Sequence, residues 1–352
     1  VISISAGTTI LAVDAGPVSG IEIRNLVFEG EFQAVTAIQS KATGVEIENC
    51  QFNNFEGEYG TNPIIYFSYD DQGREDLMQI SRVSNCMFNR SSQSKAIYSF
   101  GPTIVEDCIF ENISLAIHLV DHSSLWSGYP RMDYENIVRR NEIYRTEGTA
   151  WDCRAINTLC TAPKIYENKI YDISASDCPA IVVAGNEVAG LPTRAEIYRN
   201  IIISKWKAAD SIQIHEGIEY GALSPDFGLI YENIIVGYHR PGLYNKGNNN
   251  QYVNNTIYFT DSDAYTFHRN GVDSEYKNNI QVGGRTVIQT AEQVAAKVAK
   301  GWYPEGSDSD YPPMQYTCFW QMNEGQSSYA EAAGFMRADP KFVDAENFDF
   351  HL

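Results

Sequence analysis

One phrase recurs down this chain: apolar–x–apolar–x–Asn, followed by two or three apolar residues. It reads IEIRNLVF around Asn25, VEIENCQF around Asn49 and SRVSNCMF around Asn85, and Asp107 takes the Asn place in TIVEDCIF. It continues through Asn141, Asn168, Asn200, Asn233, Asn255 and Asn279, so that ten copies lie 22 to 36 residues apart. A repeat of this length marks stacked units, each too small to bury its own apolar face. A second phrase, small–apolar–x–apolar, follows after a gap of variable length. It is seen at Ala37-Ile38, Ala96-Ile97, Ala116-Ile117, Ala155-Ile156 and Ala180-Ile181, and more loosely at Ser211-Ile212, Gly242-Leu243 and Ala264-Tyr265. Each unit therefore holds three short strands: one before the Asn, one after it, and a third in the second phrase. Alternation over so few residues has the period of a strand, not of a helix. Asn suits the turn because it tolerates the left-handed backbone, and stacked amides can hydrogen-bond from coil to coil. Asn25, Asn49, Asn85, Asn141, Asn168, Asn200, Asn233, Asn255 and Asn279 are accordingly predicted to stack in one turn.

Composition narrows the function classes. The charge is −19, from 26 Lys+Arg against 45 Asp+Glu, which lacks the basic footprint that nucleic acid requires. No stretch reaches the ~18 apolar residues of a membrane span. The chain opens at Val1 in strand-like sequence without a basic leader, as expected for a mature or excised piece of a larger multidomain chain or fibre. Cys50, Cys86 and Cys108 follow the turn residue directly and should stack as buried thiols. Cys153 and Cys178 are the pair placed best for a bridge.

Period, strand count and turn Asn together resemble the right-handed parallel β-helix of the pectate-lyase-like superfamily. The resemblance spans roughly residues 18 to 284 and implies an all-β solenoid of about ten coils over 1–284. From 285 to 352 the pattern changes. Residues 290–300 read as an amphipathic helix stopped by Gly301, and a Gly, Ser, Asp and Pro-rich loop follows. The ending from Asp339-Pro340-Lys341-Phe342 resembles the last coils of secreted bacterial β-helix proteins, which implies a cap over the open edge.

In that superfamily the substrate groove follows the sheet built from the third strands. Alternation then sends Ile117, Ile156, Ile212 and Leu243 inward and their successors outward. The outward column reads Gln39, Tyr66, Tyr98, His118, Asn157, Val182, Gln213, Tyr244 and Thr266, and a second column two residues on includes His215, Lys246 and His268. Two polar clusters emerge: His118, Asp121, His122, Asp152, Arg154 and Asn157, then Gln213, His215, Glu216, Tyr244, Lys246, His268 and Arg269. Trp126, Tyr129 and Trp151 lie on adjoining loops, where apolar ring faces suit sugars. Tyr66 and Tyr98 read as sheet-stabilising aromatics. No metal-ligand motif is present. His118 and His122 share a face only in a helix, which this segment is not.

The resemblance implies a secreted or cell-surface protein acting on a polysaccharide, acidic by preference. Two mechanisms stay open. Inverting hydrolysis needs two carboxyls ~6.5–9.5 Å apart, and neither outward column as read here contains one. β-Elimination needs a group that neutralises a uronate, a base and an acid. His215, Lys246, His118, Tyr244 and Arg154 are the candidates for that chemistry. Asn157, Gln213, Asp152, Trp126, Tyr129, Trp151, His268 and Arg269 would bind the polymer. Calcium is the one cofactor this chemistry could call on. A non-catalytic glycan-binding adhesin or surface fibre is the alternative from another class.

Overall fold

The structure is a computed structural model. It describes residues 2–3, 9–13, 20–31, 36–55, 63–68, 79–120, 136–144, 154–160, 162–172, 179–183, 194–203, 218–220, 227–237, 242–245, 249–259, 265–269, 274–283, 285–287, 295–296, 299–300, 314–315, 317–320, 336–344 and 350. Every strand pair among these is parallel, and each strand pairs with its counterpart in the next coil. The chain is thus a parallel β-helix with three sheets. The first sheet has eleven strands and starts at Glu22–Arg24, Glu46–Glu48 and Ser81–Ser84. The second follows the turn, as in Val27–Glu29 and Gln51–Asn53. The third carries Thr36–Ser40, Pro63–Phe67 and Arg154–Leu159. Met87–Phe100 and Ile109–Val120 each run unbroken through the second and third sheets.

The turn between the first two sheets corrects one expectation. Ten residues hold left-handed backbone there with φ between +51° and +59°: Asn25, Asn49, Asn85, Asp107, Arg140, Glu167, Arg199, Glu232, Asn254 and Asn278. Asn141, Asn168, Asn200, Asn233, Asn255 and Asn279 stand one place later and are fully buried. The ten turn residues of the repeat therefore form two adjacent columns, not one. The left-handed residue points to solvent, so charged side chains serve in the later coils. The next position points inward, where an amide can bond along the stack.

That inner column is a continuous ladder. Asn168 Nδ2 donates to Asn200 Oδ1 at 2.9 Å and to the Val138 carbonyl at 2.9 Å. Asn200 Oδ1 also accepts the Asn168 backbone N–H at 3.1 Å. The same pattern repeats at Asn200, Asn233 and Asn255, so both amide hydrogens and the oxygen are used in each. Earlier coils fill the column with Cys50, Cys86 and Cys108, buried free thiols as expected. Their Sγ atoms sit 3.6–3.7 Å from the carbonyls of Ile23, Ile47 and Val83, the places the Asn amides use later. The hydrogen bond with the neighbouring Cys108 thiol, and then burial, push Cys86 up to about 12, so it is an inert core group. Cys153 and Cys178 lie outside the described residues.

The core is equally columnar. Phe28, Phe52, Phe88 and Phe110 stack with ring centroids 4.7–4.9 Å apart. The strand register continues that column as Ile143, Ile170, Ile202, Ile235 and Ile257. Parallel stacking does not stop at residue 284. Cys318–Trp320 pairs with Ile280–Val282, and Met336–Arg337 pairs with Cys318–Trp320. Helical backbone occurs at Ala295, Ala296 and Ala299, and the rest of the expected helix lies outside the described residues. Phe342 and Phe350 pack on the outer side of the second sheet against Tyr258, Val236 and Ile203. This part of the tail covers a side of the solenoid, while Met336–Arg337 adds to the end of the strand stack.

Candidate functional site

The third sheet presents its outer face as the second residue-column of each strand. Ile117, Ile156 and Leu243 are buried, which leaves His118, Asn157 and Tyr244 on the other parity. Register then orders one column as Gln39, Tyr66, Tyr98, His118, Asn157, Val182, Glu219, Tyr244, His268 and Val287.

Two places in that column differ from the expectation. The strand after Ile181–Val183 is Ile218–Tyr220, not the Ser211 phrase, so Glu219 stands where Gln213 was placed. Gly217-Ile218-Glu219-Tyr220 also fits small–apolar–x–apolar, and this second match was the available signal. The column therefore does contain a carboxylate-bearing residue. His268 pairs with Tyr244, so it joins the first column in place of Thr266, and Arg269 pairs with the buried Asn245. Gln213, His215, Lys246, Asp152, Trp126, Tyr129 and Trp151, with Asp121, His122 and Glu216, lie outside the described residues.

Four planar groups stand next to one another in consecutive coils. Tyr66 and Tyr98 stack at 5.6 Å, and Tyr98 and the His118 imidazole at 4.7 Å with 18° between planes. Asn157 Nδ2 lies 3.4 Å from His118 Nε2. Phe100 closes on Tyr98 at 4.7 Å and on Tyr66 at 6.1 Å, edge to face. The Tyr pair stacks along the sheet, as expected of cross-strand aromatics, and stands beside His118.

Two cations flank this strip. Lys95 and Arg154 occupy one register column, with Leu115 of the intervening coil between them. Lys95 Nζ lies 4.7 Å over the Tyr98 ring. Each cation precedes a strip residue by three positions, Lys95 before Tyr98 and Arg154 before Asn157. That shared offset was legible in the sequence, yet Lys95 was not among the expected residues.

Electrostatics follow from burial. His118 is only 9% exposed and Asn157 5%, although both stand on the outer parity. Burial first, then the charges of Lys95 and Arg154, hold the His118 imidazolium down to about 3. His118 is therefore a neutral imidazole near pH 7, suited to hydrogen bonding and poor at carrying a proton. Burial, then Tyr66, push Tyr98 up to about 12, so its hydroxyl stays protonated. His118 Nδ1 and Asn157 Oδ1 are both buried without a hydrogen-bond partner. Buried polar atoms rarely remain so, and such a pair is the usual trace of a water or ligand position. Among the described residues no group of three or more His, Cys, Asp or Glu gathers as a metal set, and no helix is long and apolar enough to cross a membrane.

Comparison with known proteins returns no match: no family model, no curated protein and no solved structure aligns with this chain.

Proposed function

We propose that the protein binds a uronate-containing polysaccharide along the outer face of its third sheet and cleaves it by β-elimination. The observation that carries this reading is the strip Tyr66–Tyr98–His118–Asn157 with Lys95 and Arg154 beside it. Aromatic walls, neutral hydrogen-bonding edges and two cations suit a sugar chain that bears carboxylates. Neighbouring coils of a sheet stand ~4.8 Å apart, so an extended polymer along the solenoid meets successive members of the column. The fold type agrees with that of the pectate-lyase-like superfamily, in which the proposed chemistry is at home. A polymer substrate of this kind makes the protein secreted or surface-borne.

Three further members of the column, Glu219, Tyr244 and His268, follow in adjacent coils. In the proposed reaction a base removes the C5 proton of the uronate. The electrons form the C4–C5 double bond, the C4–O bond breaks, and an acid protonates the departing oxygen. His268 is the base in this proposal, and Tyr244, its register partner in the preceding coil, is the acid. His215 and Lys246 remain candidates for the same exchange. Calcium would assist as a carboxylate-neutralising ion.

Glu219 favours a second reading, glycoside hydrolysis, because it supplies one of the two carboxyls that mechanism requires. Incubation with pectate, alginate and chondroitin, with and without calcium, separates the readings. Ultraviolet absorbance of unsaturated uronate identifies elimination. Reducing ends without absorbance identify hydrolysis. Binding without either identifies a non-catalytic glycan-binding solenoid, and absence of binding overturns the proposal.

A further inference from the structure

One outward column of the second sheet changes character along the solenoid. In the early coils it reads Glu29, Asn53, Asn89 and Glu111. The same register passes through Tyr144 and then reads Tyr171, Ile203, Val236 and Tyr258. Outward positions on a sheet normally meet water. Ile203 and Val236 are nonetheless only 6% and 7% exposed, because Phe350 packs on them from outside, with Phe342, Tyr171, Ile201, Ile234 and Tyr258 around the contact. The Phe342 and Phe350 rings meet edge to face at 5.0 Å, and each also contacts the Tyr258 ring. The column is apolar where this aromatic pair lies and polar in the coils well before it.

The second observation is the turn that leads back to those rings. Met336–Arg337 is the last second-sheet strand among the described residues, five coils beyond Ile201–Ile203 by strand pairing. The chain reverses just after it. The Ala338 carbonyl accepts the Cys318 thiol at 3.3 Å, and Lys341 holds left-handed backbone at φ +58°. The Asp339 carboxylate accepts both the Lys341 N–H and its ammonium, each at 2.9 Å. Phe350 thus lies roughly 20 Å back along the axis, at ~4.8 Å for each coil. A solenoid coil otherwise touches only its neighbours, so its end can fray one coil at a time. A contact that reaches back over four or five coils removes that freedom.

We infer that Phe342 and Phe350 form a clasp that joins the coils from Ile201 to Met336 into one cooperative unit. Those coils also carry the third-sheet strands Ile218–Tyr220, Leu243–Asn245 and Tyr265–Arg269, and with them Glu219, Tyr244 and His268. The clasp therefore fixes that half of the third-sheet column from another face of the solenoid. It needs no ligand and stands apart from the glycan reading.

The test is amide hydrogen exchange on the full chain. In the wild type the strands at 234–237, 256–259, 280–282 and 318–320 are expected to open together, with one common protection. In the double variant Phe342→Ala with Phe350→Ala, protection at 280–282 and 318–320 should fall about a hundredfold, with a smaller loss toward 201–203, as for fraying from an end. The third-sheet strands at 243–245 and 265–269 should follow. Strands at 46–48 and 103–106 should keep wild-type protection, which shows that the variant has folded. Phe350→Leu keeps apolar bulk without the ring contacts and should give a smaller fall, whereas Val343→Ala, at an exposed neighbour, should give none. Unchanged protection of the later coils in the double variant overturns the clasp. So does a wild type whose later coils already exchange in graded order from the end. Should the double variant not fold, Phe350→Leu decides alone: graded loss supports the clasp, and wild-type exchange overturns it.

Discussion

The turn side of the solenoid and the outer face of its third sheet are built on the same repeat, yet they treat polar groups in opposite ways. On the turn side the buried amides of the ladder and the Glu106 carboxylate find partners within the chain. From Asn141 to Asn255 the ladder uses both hydrogens of each amide, and Glu106, 6% exposed, receives Arg82, Arg139 and Arg140 together. Tyr166, Tyr198 and Tyr231 stack face to face at 4.7–4.8 Å, with Arg139 donating to the Tyr166 hydroxyl at 2.8 Å. On the third sheet His118 and Asn157 keep buried atoms unpartnered, and Arg154 has no carboxylate among the described residues. The first arrangement is complete without a ligand. The second holds unspent hydrogen-bonding capacity, which is what a recognition surface needs.

The contrast can be broken first at the ladder. Asn200→Ala would take the acceptor from one Asn168 amide hydrogen and from the Asn168 backbone N–H, and would remove a side-chain donor from the Ile165 carbonyl. At ~1–3 kcal/mol for each unsatisfied buried group, a loss of about 4 kcal/mol is expected in denaturant titration, with glycan affinity unchanged in the folded fraction. Glu106→Gln comes next. Burial alone would raise the Glu106 carboxyl, but hydrogen bonds and charges from Arg139 and Arg82 outweigh it and hold the group below its usual value. Its stabilising effect is therefore present above the unfolded carboxylate range and lost as pH falls through the lower folded value. Removing its charge should cost about 3 kcal/mol near neutrality, the lower end for a buried pair because the arginines are partly exposed, and the deficit should shrink on acidification.

The third-sheet face should respond to substitution the other way. His118 takes up its proton near 6.5 when unfolded and near 3 when folded. Between those values the unfolded chain binds the proton that the native state refuses, so stability is lost as pH falls, by up to ~1.4 kcal/mol per unit, the same direction as for Glu106. The difference between wild type and His118→Phe isolates that slope, which should vanish in the variant. Smallest in energy, the double substitution His118→Phe with Asn157→Leu should raise stability by about 1 kcal/mol while abolishing glycan binding, because it removes unpartnered polar atoms from a buried place. A double variant that unfolds more readily would mark the pair as scaffold.

These two faces were not equally legible in the sequence. The repeat announced itself, because a residue that must hold φ near +55° and a neighbour that must face inward recur in every coil. The phrase around Asn25 and the phrase around Asn141 nevertheless look alike, since Asn serves both as a left-handed residue and as a ladder amide. Only strand pairing tells the two positions apart. The outward parity of His118 and Asn157 followed from Ile117 and Ile156, whose burial is local. The coil after Ile181 was different: Ser211-Ile212-Gln213 and Gly217-Ile218-Glu219 fit equally well, and the register of Ile218 on Ile181 decides between them. Lys95 and Arg154 escaped notice as a pair because their kinship lies across two coils, at a spacing in sequence that no local pattern carries.

The most direct test is amide hydrogen exchange with and without the acidic glycan that the polymer panel identifies. Slowed exchange concentrated in the third-sheet strands at 95–100, 115–120 and 154–159, with the first-sheet strands at 164–166, 196–198 and 229–231 unchanged, is the expected result. Protection of the first-sheet strands with the third-sheet strands unaffected would contradict a glycan site on this face.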